Sequence, residues 1–234
     1  MNNIIKPSYF AMLSREMKLF ELVEASPSLL SILTRLDIRL PFGDISVREM
    51  CQREHLDVEL FITLCAMHVD PNYRPDTTKL KSDMLDGVIG YLRASHRYYA
   101  EHMLPHTSAH LERILAHCDE LSSSVLRRFY DDYTHYIVKH FSEEENAIFT
   151  PIENHDCGAG RADCSLFDMP HADIDDRSND IASLIFKNLP EGAPTSLRCA
   201  MLEHIYALRD DLRRHSNVEA YLLKPLVEKY INRK

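Results

Sequence analysis

The sequence predicts an all-α protein in which a small helical N-terminal domain precedes a four-helix bundle. Three observations carry that prediction. Six glycines and no tryptophan occur in 234 residues, and Leu, Ile, Glu, Arg and Ala, which lose little on entering a helix, are abundant. Apolar residues recur at helical period along four long segments. Alternating β-branched runs, the mark of half-buried strands, are few. A chain of this length buries one sizeable core, or a small domain beside a larger one.

The first 70 residues break into short helical pieces, each with its own start signal. Ser26 before Pro27 reads as an N-cap followed by proline at the first helical position, and Ser46 to Glu49 has capping-box spacing. A further helix is expected from about Asp57, carrying Leu60, Phe61, Leu64, Cys65 and Met67. The stretch VDPNYRPDTT, with two prolines, reads as a linker ending near residue 78. The expected domains are therefore 1–78 and 79–234.

Beyond the linker the segments lengthen. Residues 79 to about 119, 122–150, 168–189 and 195–232 are each long enough for a bundle helix. Pro105 falls inside the first, where its missing N–H and its ring predict a kink or a break. The loop ENHDCGAGRADCSLFD joins the second segment to the third.

The formal charge of −9 disfavours nucleic acid and anionic membranes as partners, because both need a basic face. No apolar run approaches the length of a membrane span. The N-terminus lacks the order of a secretory signal, so the expected location is the cytoplasm. Six cysteines (Cys51, Cys65, Cys118, Cys157, Cys164 and Cys199) are scattered without a C-x-x-C pair, which fits reduced thiols. Thirteen histidines are the compositional excess.

Two of those histidines sit in matching contexts. HFSEEENAIFTP places Glu144 four residues after His140, and HSNVEAYLLKP places Glu219 four residues after His215. At that spacing both side chains share one helical face, about 6 Å apart along the axis. A single such pair is weak, since His55 and Glu59 repeat the spacing on an expected solvated face. The repeat with its apolar tail, 75 residues on, is stronger, and so is a second coincidence: His96 and His171, on the other two helices, also lie 75 residues apart.

The set His96, His140, Glu144, His171, His215 and Glu219 offers four imidazoles and two carboxylates. Such donors suit a pair of borderline metal ions, Fe, Mn or Zn, held between facing helices, with coordination positions left for O₂, NO or peroxide. Helical phase turns Glu145 about 140° from His140, toward water, and leaves Glu143 on the flank. Tyr136 and Asp175 are candidates for supporting hydrogen bonds, with core packing and solvation as their alternatives. His102, His106 and His110 form an i,i+4 ladder after His96; His110, about 21 Å away along the axis, is too far to share its metals, and surface or access-path roles are expected for the three, with His102 and His106 open as ligands where Pro105 distorts the helix.

These segments resemble the hemerythrin-like domain of the RIC proteins, which repair iron centres. LVEASPSLLSILTRLDI and VREMCQREHLDVELF are similar to the small helical domain that precedes that bundle, so the resemblance covers residues 18 to 230 approximately. It implies a non-haem di-iron protein, with two irons bridged by carboxylate and by oxide or hydroxide on the same six residues. It further implies a role in oxidative or nitrosative stress, with damaged iron–sulfur proteins as partners and NO, O₂ or peroxide as the small oxidant. Both an enzyme and a non-catalytic sensor or iron-binding protein signalling through its N-terminal domain fit, and a homodimer is compatible. One departure stands out. The family's Cys-Cys pair before a glycine is replaced here by Pro41-Phe42-Gly43, which puts thiol chemistry in the first domain in doubt. Cys51 and Cys65 fall in expected helices as core residues, whereas Cys157 and Cys164 lie in the bundle loop.

Overall fold

The computed structural model describes residues 13–154, 172–189 and 191–231. Among the described residues there is no strand, only an isolated bridge between Lys18 and Ser46. The fold is all-α, with short helices first and four long helical runs after them. No described helix is long and apolar enough to cross a membrane. The chain divides into two compact units, one running to Leu92 and resuming at Asn217, the other spanning Arg93–Ser216.

The first unit opens with α1 (Leu19–Ala25), a 3₁₀ turn (Pro27–Leu29), α2 (Leu30–Arg35), α3 (Val47–Arg53) and α4 (Val58–Val69). The capping box forms as expected: the Ser46 side chain accepts from the Glu49 amide, and Glu49 accepts from the Ser46 amide at 2.7 Å. Asp57 caps α4 by accepting from the Leu60 amide at 2.8 Å. Ser26 does not cap in this way. Its hydroxyl pairs with that of Ser28, 3.1 Å away, and Pro27 starts a 3₁₀ turn. His55 has a positive φ of 56° and lies outside α4, so His55 and Glu59 are not a helical pair.

Leu19, Ile32, Met50, Cys51, Leu64 and Met67 build this unit's core. Burial pushes the Cys51 thiol up to about 12 and raises that of Cys65 as well, so both are core residues rather than reactive thiols. The start of α5 (Leu85–Tyr98) approaches α4 at Gly87, where an added Cβ would lie 2.6 Å from Leu60 Cδ2. The final helix, α11 (Lys224–Ile231), is tied into the same unit by Lys229, whose ammonium donates to the Leu80 carbonyl at 3.0 Å.

The second unit holds the rest of α5, then α6 (Leu104–Leu115), α7 (Glu120–Glu144), α8 (Thr150–Glu153), α9 (Ala172–Ser183) and most of α10 (Thr195–Val218). Asp119 starts α7 by accepting from the Ser122 amide at 2.8 Å. Leu111, Ile114, Tyr133, Ile137, Ile181, Met201, Ile205 and Leu208 converge from α6, α7, α9 and α10 into one core. The turn before α10 passes close to the end of α6. A Cβ on Gly192 would stand 2.7 Å from the His117 carbonyl oxygen, so only glycine fits there.

Pro105 does not break its helix. A π turn, Tyr99–Met103, carries α5 into α6 without interruption. The same device recurs at Glu145–Phe149 ahead of Pro151 and at Glu219–Leu223 ahead of Pro225. A proline lacks the amide for an i→i−4 bond and crowds that carbonyl; widening the preceding turn to i→i+5 removes both conflicts and keeps the run continuous. Each of these π turns lies within a few residues of a candidate metal ligand.

Candidate metal centre

Three of the expected ligands meet in the second unit. His96 comes from the last turn of α5, Glu144 from the end of α7 and His215 from the last turn of α10. One ligand atom from each lies within 4.8 Å of the others, and all three residues are buried. The Nε2 atoms of His96 and His215 are 3.1 Å apart. Glu144 Oε2 is 3.3 Å from His96 Nε2, and Glu144 Oε1 is 3.0 Å from Nε2 of His140, one turn earlier on α7.

Those separations decide whether the residues fit a metal. Donors sharing an ion at about 2.1 Å stand about 3.0 to 3.4 Å apart at octahedral or tetrahedral angles, which matches the observed spacing. Hydrogen bonding accounts for it less well: Glu144 Oε2 is enclosed and receives no aligned hydrogen bond among the described residues despite its distance from His96. His140 serves Oε1, but leaving the second oxygen of a buried carboxylate without a donor is costly unless a cation offsets it. The donor set therefore fits a divalent transition ion.

The protonation of His96 is set from its far side. Its Nδ1 lies 2.9 Å from Glu145 Oε1. A carboxylate accepts, so Nδ1 is the donor in this contact, and Nε2 is the nitrogen that faces His215 and Glu144. Helical phase sent Glu145 to solvent, but its side chain is only 31% exposed. Its phase relative to His140 concerns its own helix, whereas its partner, His96, stands on another. Phe141 stacks on the His96 ring at 4.1 Å and Phe149 lies on it at 5.5 Å, both nearly parallel, which fixes the imidazole plane.

Glu219 is the residue after α10, one turn beyond His215 along an unbroken helical run, and is 4% exposed. His171 lies outside the described residues, as do Cys157 and Cys164. Glu143 pairs with Lys139 at 3.6 Å with its side chain 47% exposed. Tyr136 takes its hydroxyl to Asp173 at 3.3 Å, with Arg177 over its ring, and so supports α9 rather than His140. Asp175 is held by Arg213, with Nε at 2.9 Å.

An open cleft of about 380 Å³ reaches the His96 edge and is lined by Ala100, Val138, Phe141, Glu145 and Asn146.

Residues 87–227 match the family model described as the hemerythrin HHE cation binding domain, which covers more than half of the chain. The chain belongs to the hemerythrin HHE family. Within this hemerythrin-like chain, the match contains both H-x-x-x-E segments and the π turns that follow them. No curated protein matches the sequence.

Proposed function

We propose that this hemerythrin-like protein is a non-haem di-iron protein of the oxidative and nitrosative stress response, related in role to the proteins that repair iron–sulfur centres. Its ligands are His96, His140, Glu144, His171, His215 and Glu219. The observation that carries the reading is the convergence of His96 Nε2, His215 Nε2 and Glu144 at metal-sharing distances, with the outer nitrogen of His96 tied to Glu145. Iron suits imidazole with carboxylate, and manganese and zinc fit the same donors.

Iron bound here would supply coordination positions and one-electron chemistry for a small oxidant such as O₂, NO or peroxide. The protein's own residues do the rest. Glu145 holds the proton on His96 Nδ1 and keeps the ring in the ligating tautomer. Phe141 and Phe149 exclude water from the His96 ring faces. The cleft beside Val138 and Ala100 opens to solvent next to His96. In this reading the protein acts in the cytoplasm, and damaged iron–sulfur proteins are its partners.

The test is the iron content of the purified chain with its absorption spectrum under anaerobic and aerobic conditions. Two irons per chain with near-ultraviolet bands of a bridged ferric pair are expected, and a protein that stays iron-free after anaerobic loading overturns the proposal. Consumption of NO with an added electron donor then separates turnover from sensing.

A further inference from the structure

A second cluster of imidazoles lies in the same unit and plays no part in the site above. His106 and His110 stand one turn apart on α6, and His204 meets them from α10. The ring centroids are 4.3 Å apart for His110 and His204, 5.2 Å for His106 and His204, and 5.9 Å for His106 and His110. One ring nitrogen from each lies within 4.8 Å of the other two. His204 precedes His215 by eleven residues on α10, about 16 Å along the axis, so the clusters cannot share an ion.

We propose that His106, His110 and His204 form a second metal site that takes a single divalent transition ion, with zinc the best fit. Three imidazoles with no carboxylate among them exclude calcium and magnesium, which require oxygen donors. Zinc accepts three histidines at about 2.0 to 2.1 Å and leaves its fourth position to water. The donor atoms then need to draw together from their present spacing to about 3.4 Å, a movement within the reach of side-chain torsions.

The surroundings favour ligation over simple packing. His110 Nδ1 is enclosed and has no hydrogen-bond partner among the described residues, an arrangement that leaves a polar atom uncompensated unless it binds something. Burial, assisted by Arg113 and His106, lowers the His110 pKa; burial, with His110 and His106, lowers that of His204 against an opposing pull from Glu203. His106 is exposed, which gives an ion a route in from solvent. An ion held there clips α6 to α10.

The test is a zinc titration of the full chain, comparing wild type with His204→Asn, His110→Asn and His106→Asn, and with Glu144→Gln to mark the central cluster. The expected result is one zinc equivalent that survives Glu144→Gln and whose affinity falls about 100-fold or more in each histidine variant. Cobalt in the Glu144→Gln protein should give the intense visible bands of a low-coordinate ion, absent once His204→Asn is added. Unchanged zinc stoichiometry in the histidine variants, or loss of all zinc in Glu144→Gln alone, overturns the proposal. His106 is exposed, so its replacement leaves the core intact and decides the matter even where a His204 variant fails to fold.

Discussion

Replacing Glu144 by Gln keeps the volume of a side chain that is 5% exposed and removes the charge that a metal ion would meet. In the metal-free protein the change leaves the melting temperature unchanged or raises it, because Glu144 Oε2 gains no aligned hydrogen bond among the described residues and a buried charge is costly. With metal the sign reverses. At a free ion concentration of 100 Kd, binding stabilises the native wild type by about 2.7 kcal/mol. In a chain of this size that corresponds to a rise of about 5 to 11 °C. If loss of the carboxylate weakens binding about 100-fold, the same concentration yields only about 0.4 kcal/mol, or about 1 °C. The assay is a pair of thermal melts with and without iron under anaerobic conditions. Glu143→Gln is the control, since that side chain is 47% exposed and pairs with Lys139. A Glu144→Gln protein that keeps its full metal-dependent rise while losing several degrees without metal refutes the reasoning and makes Glu144 a structural partner of His96 and His140.

Four further outcomes are expected. Glu145→Ala frees the outer nitrogen of His96 and should weaken iron binding about 10- to 100-fold with little change in the metal-free melt, as read by competition with a chelator. Ile205→Ala removes a fully buried side chain from the second unit's core and should cost about 2 to 5 kcal/mol in a denaturant titration. Arg127 holds the Glu112 carboxyl below its ordinary 4.5, so that pair contributes stability at neutral pH that is lost as pH falls through the lowered value; Arg127→Ala should flatten this part of the acid-unfolding curve. Alkylation at pH 8 followed by peptide mapping should label exposed Cys199 in the native protein but reach Cys51 and Cys65 only after unfolding.

The helix starts at Ser46, Asp57 and Asp119 follow from short-range chemistry, in which a side-chain oxygen meets an amide two or three residues ahead. Ser26 takes the N-cap position without a side-chain cap bond, and at Pro105 the expected break does not occur. A proline is compatible with both a 3₁₀ turn and a helix continued through a π turn, and neighbouring packing selects between them.

What the sequence determined by itself is the helical class, the four long runs and the paired H-x-x-x-E segments, because periodicity and i,i+4 spacing are properties of one helix at a time. Tertiary structure alone brought His96 to His215 and Glu144, turned Glu145 from an expected solvent residue into the partner of His96, and set His204 against His106 and His110. Each of those contacts joins two different helices. Which faces meet depends on how their side chains interdigitate across the core, and spacing within a single helix carries no record of that.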